Sequence, residues 1–263
     1  MGGYESDSSY DSKESFFKKH LSGVHAERYA NYDKFLRGHL KENDEILSVG
    51  SGRCVNELYL LDSGYKKITC SDLGVFSAYL ETKALFPEFS FTPLNVLESS
   101  TPKKFNAVIS LSLIYLFDER DFDSFLRNVA DSLQEGGVLI LDSAGAPDNL
   151  LTFIIHDIIL RAEVYLSGLF GYIKSLGKQK FGVVVHAFGY RRKDSDIISA
   201  AEKAGFQFIE KTDYGFTNEF RRSKTFRRIV KPGSSIENMF AKIGRRIPYT
   251  RMFYFRKVKE QSV

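Results

Sequence analysis

Between residues 45 and 142, short and almost continuous apolar runs alternate with segments of helical periodicity. This alternation restricts the fold more than any other feature of the chain. EILSV (45–49), KITCS (67–71), FSF (89–91), AVISL (107–111) and VLIL (138–141) read as strands. Between them, Val55 to Leu61 reads as a helix ended by Ser63-Gly64, and Val75 to Leu85 as one ended by Phe86-Pro87. Glu119 to Gln134 shows helical spacing in Phe122, Phe125, Leu126, Val129 and Leu133, with Glu135-Gly136-Gly137 as its cap. A strand with no polar face must be covered on both sides, and a helix after each strand supplies the cover. The expected class is α/β, a doubly wound, mostly parallel sheet.

The flanks elaborate this core. Residues 1–15 are expected to be disordered, being Ser, Asp and Glu with little to bury. Gly2 and Ser6 fit the short N-myristoylation pattern, which arises easily by chance. Residues 16–44 read as one or two helices forming a lid, anchored by Phe16, Phe17, Tyr29, Tyr32, Phe35 and Leu36. From Asn149 a long apolar helical stretch is inserted after the fifth strand, in a segment spanning 143–190. Asp157, Arg161 and Glu163 interrupt it and make it a poor membrane span. Core packing or a lid is its preferred role; a dimer face or a membrane-surface helix are the others. KDSDIISAAEKAGFQFIE restores helix and strand within 191–263, and MFYFRKV reads as a terminal strand.

From Arg221 onward, thirteen Lys or Arg face two acids, Glu237 and Glu260, giving a tail near +11. The whole chain carries +4, so the first 220 residues sum to about −7. Such a tail suits an anionic partner, or folds against its own acidic body. The two cysteines, Cys54 and Cys70, fall inside core elements and form no zinc or disulfide pattern. A reducing, cytoplasmic setting is expected, without a signal peptide and without a metal site.

ILSVGSGRC (46–54) carries the chemistry. A parallel sheet binds ligands at the carboxyl ends of its strands, where the topology reverses. Gly50 and Gly52 let a ligand approach the backbone, and the helix that follows offers free N–H donors. Asp72, twenty residues beyond Gly52, can accept hydrogen bonds from both hydroxyls of a ribose. A dinucleotide turn has a third glycine where Val55 stands, which disfavours a nicotinamide cofactor.

ILSVGSGRC, ITCSDLG, PLNVLES, FNAVISLSLIYLF and LQEGGVLILDS, in that order, resemble the motif series of class I S-adenosylmethionine-dependent methyltransferases, which have a Rossmann-like fold. The late segment ending in Ala-Gly-Phe is also similar. The resemblance covers 45–142 well and 190–213 fairly. It implies that Gly50, Ser51 and Gly52 line the methionine and ribose of S-adenosylmethionine. Asp72 would hold the ribose hydroxyls, Leu73 would lie against the adenine, and Asn95 and Val96 would read its edge. Ser110 would face the methionine end. Two departures stand out: Ser48 replaces the usual acid near the cofactor's ammonium group, and Cys54 replaces the last glycine of the family's turn.

The resemblance implies in-line methyl transfer to a small-molecule, sugar or lipid-linked acceptor, for which alignment supplies much of the acceleration. A hydroxyl acceptor also needs a base. His186, His25 and Tyr115 are the candidates, with His186 first. The acceptor is expected to be anionic or lipid-linked, with peripheral membrane contact open and nucleic acid disfavoured. A non-catalytic cofactor-binding relative, a nucleic-acid methyltransferase and an NAD-dependent oxidoreductase are the alternatives.

Overall fold

The computed structural model describes residues 12–22, 26–75, 79–174, 189–215, 224–231 and 233–258. Two helices lead, α1 (Lys13–His20) and α2 (Ala26–His39). Then follow β1 (Ile46–Val49), α3 (Val55–Asp62), β2 (Ile68–Asp72), α4 (Tyr79–Leu85), β3 (Ser90–Pro93), β4 (Phe105–Ser110), α5 (Glu119–Ser132) and β5 (Leu133–Ser143). The insertion is one continuous rod: α6 (Leu150–Phe153), a π-helical stretch (Ile154–Leu160) and α7 (Arg161–Lys174). The chain closes with α8 (Asp194–Lys203), β6 (Phe206–Gly215), α9 (Lys224–Ile229), α10 (Ser235–Gly244) and β7 (Pro248–Lys257).

One seven-stranded sheet results, in the order β3-β2-β1-β4-β5-β7-β6. The first five strands run parallel, and β7 enters antiparallel between β5 and β6. Strand alternation separates two cores. On one face Ile46, Ala107, Ile109 and Ile140 pack with Tyr32, Phe35 and Leu36 of α2 and Leu58 of α3. On the other, Leu47, Val49, Val108 and Leu139 meet Phe122, Phe125 and Val129 of α5 and Ile197 of α8. Each of those large side chains is worth about 1.5–3 kcal/mol when fully buried.

Three local differences from the sequence reading have physical causes. α1 begins at Lys13, inside the stretch expected to be disordered, because Ser12 caps it and Phe16 is buried in the core. α5 ends at Ser132 rather than Gln134 because Leu133 already pairs with Phe105. Gly136, at φ +71°, lies in the irregular start of β5, and regular pairing resumes from Val138. Gly2 and Ser6 lie outside the described residues.

β1 sends its chain outward through α3 to β2, whereas β4 lies on the other side of β1. The connections diverge between β1 and β4, and a crevice opens beyond their carboxyl ends.

Candidate active site

The crevice is a cavity of about 730 Å³, within the range of pockets that hold small ligands. Its floor is the turn after β1. Gly50 and Gly52 adopt φ +66° and +53°, a region open to glycine at little cost. A Cβ on Gly50 would come within 2.6 Å of Leu113, so the turn is packed from one side. A Cβ on Gly52 would meet nothing within 4 Å, so that part of the backbone faces open space. Ser51 staples the turn to β2, its N–H and Oγ both reaching the Ser71 carbonyl at 3.0 and 3.1 Å.

Asp72 closes the turn from the next strand. Its carboxylate accepts the Gly52 N–H at 2.9 Å and the Leu73 N–H at 2.7 Å. A carboxylate has about four lone-pair positions, so two remain for ligand hydroxyls. Leu73 is largely exposed at the rim. Across the cavity Asn95 and Val96 line the wall; Asn95 Oδ1 accepts the Leu97 N–H at 3.2 Å. Asn128 of α5 donates to the Val96 carbonyl at 2.7 Å and pins this loop. The open face at Gly52, the free lone pairs of Asp72 and the cavity volume suit an adenosine-bearing cofactor.

Seven of the nine cofactor candidates therefore line one cavity: Gly50, Ser51, Gly52, Asp72, Leu73, Asn95 and Val96. Ser48 and Ser110 lie beneath it, fully buried. The Ser110 hydroxyl has no hydrogen-bond partner among the described residues. Ser48 donates at 2.5 Å to Glu57 of α3, which the sequence reading passed over. Burial pushes the Glu57 carboxyl up to about 7, against the lowering effect of the Ser48 bond. Its Oε2 has no partner among the described residues. A carboxyl group therefore does lie beside position 48, although helix α3 supplies it. Cys54, standing where the resembled family has glycine, takes φ +57°, which costs a non-glycine residue about 1–2 kcal/mol.

Tyr115 lines the cavity from the turn after β4, and its carbonyl accepts the Tyr190 N–H at 2.6 Å. Gly189 comes so close to Tyr115 that a Cβ there would collide with its carbonyl oxygen. His25 and His186 lie outside the described residues. Among the described residues, His20 at the end of α1 lines the cavity.

The sequence reading also missed a polar cluster at the inner wall. Tyr32 of α2 hydrogen-bonds through its hydroxyl to the Asp142 carboxylate at the end of β5 and lies 3.1 Å from Ser112 Oγ. The Ser112 N–H donates to the other Asp142 oxygen at 2.5 Å, from a residue held at φ +55°. Tyr32 and Ser112 both line the cavity. Burial raises the Asp142 carboxyl above its usual range despite the bonds from Tyr32 and Ser112, and raises the Tyr32 phenol well above its own. No pattern in the sequence joins these residues, because Tyr32 and Asp142 are 110 positions apart.

No family model and no curated protein matches the chain. Solved structures do. Magnesium protoporphyrin IX methyltransferase from Synechocystis PCC 6803, solved with bound SAH, aligns over 95% of this chain and 90% of its own, with TM-score 0.54 and 16% identity. Geranyl diphosphate C-methyltransferase from Streptomyces coelicolor A3(2), solved with Mg2+, geranyl diphosphate and S-adenosyl-L-homocysteine, covers 96% and 85%, at 0.55 and 13%. A SAM-dependent methyltransferase from Methanosarcina mazei covers 86% and 98%, at 0.55 and 14%. The chain has the Rossmann-like fold of S-adenosylmethionine-dependent methyltransferases.

Proposed function

We propose that the protein is an S-adenosylmethionine-dependent methyltransferase acting on a small-molecule acceptor. The observation that carries this reading is Asp72 bonded to the Gly52 N–H at the mouth of a cavity on the topological switch point. Gly50, Ser51 and Gly52 hold the methionine and ribose portions, Asp72 the ribose hydroxyls, and Leu73, Asn95 and Val96 the adenine. Ser48, Glu57 and Ser110 support this floor from below. When bound, the cofactor supplies an electrophilic methyl group on a sulfonium.

Tyr32, Ser112 and Asp142 give the chain a way to hold the proton of a hydroxyl acceptor. Tyr32 Oη takes the acceptor's proton as its own moves to Asp142 along the existing hydrogen bond. A carboxyl with a raised pKa is a better proton acceptor near neutral pH than an ordinary one. This relay replaces His25 and His186 as the favoured base, and Tyr115 is kept for contact with the acceptor. Arg28 of α2 also lines the cavity and favours an acceptor with an anionic group. The unbridged, buried Cys54 and Cys70 suit a reducing, cytoplasmic setting.

The test is transfer of label from methyl-labelled S-adenosylmethionine to an extract of small molecules and lipids. A labelled, extractable product that disappears without the protein supports the reading. Cofactor binding with no transfer to any fraction would make the protein a non-catalytic binding relative.

A further inference from the structure

Helix α7 carries an exposed apolar stripe. Tyr165, Leu166, Leu169 and Ile173 fall along one side of it and are between 42% and 58% exposed. A helix serving only a protein core would bury such a stripe. α10 repeats the pattern, with Ile236, Met239 and Ile243 at helical spacing and 40–51% exposed, and α9 adds exposed Ile229. α9, α10 and the residue that leads directly into α7 meet at one place: Phe226, Phe240 and Leu160, the last of the π-helical stretch, pack on the small core of Ile247 and Tyr249.

Charge lies beside this apolar surface. Arg228, Lys231, Lys242, Arg245 and Arg246 are exposed, and none forms an ion pair with another described residue. Two other tail cations are absorbed by the body: Arg251 pairs with Asp194, and Lys257 bonds the carbonyls of Ala130 and Leu133. Among the described residues, the cations of α9, α10 and their flanks thus face outward, while Arg251 and Lys257 are held by the body. Exposed apolar side chains with neighbouring Lys and Arg are the features of a helix lying in the interface of an anionic bilayer.

We propose that the α7–α9–α10 surface docks on an anionic lipid bilayer, with the apolar side chains entering the headgroup boundary and the five cations facing lipid phosphates. Charge favours this occupant over a second copy of the chain. A two-fold dimer through this face would set five cations against the same five. Among the described residues no helix is long and apolar enough to cross a membrane, so the contact is peripheral. The Tyr249 core also reaches the cavity rim, because the Arg28 guanidinium lies 5.9 Å over the Tyr249 ring. The proposal stands independently of methyl transfer and is tested without cofactor.

The full chain is sedimented with vesicles of phosphatidylcholine containing about one-third phosphatidylserine, and with vesicles of phosphatidylcholine alone. Binding is expected to the first and to weaken with added salt. Reversing two cations, Lys242→Glu with Arg246→Glu, is expected to weaken it at least about twenty-fold at low salt. Leu166→Asp with Leu169→Asp is expected to abolish it; both positions are exposed, so the fold is retained, which circular dichroism checks. The chain has no tryptophan, so Leu169→Trp gives a single probe whose emission shifts to the blue and is quenched by brominated lipid. Equal sedimentation with both vesicle types, none with either, or a Leu169→Trp emission indifferent to lipid would overturn the proposal. So would a wild-type dimer that ignores vesicles and that Leu166→Asp with Leu169→Asp dissociates, since a second copy would then own the face.

Discussion

Glu57→Gln is the perturbation whose outcome follows most directly from the structure. The Glu57 carboxyl is fully buried and accepts a hydrogen bond from Ser48, and among the described residues it forms no ion pair. Burial moves its pKa from the ordinary 4.5 to about 7. Between those two values the native state keeps a proton that the unfolded chain has released. Wild-type stability therefore falls as pH rises through this window, the favourable contribution being complete below 4.5 and gone above about 7. At 1.36 kcal/mol per pH unit, the loss is about 3 kcal/mol. The introduced amide carries no titrating proton and retains an oxygen that can accept the Ser48 bond. Its unpartnered N–H adds a cost that does not vary with pH, of about 1–3 kcal/mol. The informative quantity is thus the difference in unfolding free energy, variant minus wild type, from urea titrations across the window. It should rise by about 3 kcal/mol from low to high pH, and all other titrating groups cancel in it. A difference that stays flat with pH would refute the assignment of a raised, buried carboxyl to Glu57.

Other expectations can be checked with the same purified protein. Gly50→Ala should destabilise by about 1–3 kcal/mol in thermal unfolding, because the new Cβ meets Leu113 at 2.6 Å on a backbone at φ +66°. Arg251→Leu should cost about 3–5 kcal/mol in urea unfolding. That guanidinium is fully buried and joins Asp194, Ser143 Oγ and the carbonyls of Ala144 and Arg192. Once an acceptor is known, Tyr32→Phe should lower kcat by about 10²–10⁴-fold while leaving S-adenosylhomocysteine affinity nearly unchanged. Wild-type kcat should rise with pH as Asp142 loses its proton, from above the ordinary carboxylate range, and the variant should lose that limb of the profile.

The parallel core was legible because its strands are buried on both faces. AVISL marked β4 within two residues, and KITCS marked β2 within one. Asp72 was legible for a similar reason: the end of a parallel strand fixes where its last side chain stands. What escaped depends on tertiary proximity. Position 48 looked like a lost acid, yet Glu57 brings a carboxyl to its hydroxyl from one turn into α3. Tyr32 read as an apolar anchor, which its ring is, while its hydroxyl reaches Asp142 at the carboxyl end of β5. The apolar insertion reads as packing or lid, with a membrane-surface helix among the alternatives; Thr152 and Leu160 do pack inward, while Tyr165, Leu166, Leu169 and Ile173 of α7 are exposed. Periodicity identifies an amphipathic helix but does not say which way it turns.

Equilibrium titration of the full chain with S-adenosylhomocysteine, wild type beside Asp72→Ala and with NAD as control, addresses the central claim. Two ribose hydrogen bonds to a carboxylate, each worth about 1.5–3 kcal/mol, imply at least about a hundred-fold weaker binding in the variant. The account predicts saturable binding by the wild type, that loss in the variant, and no binding of NAD. Binding unaffected by Asp72→Ala, or none by the wild type, would contradict it and leave the glycine turn a structural feature of the sheet.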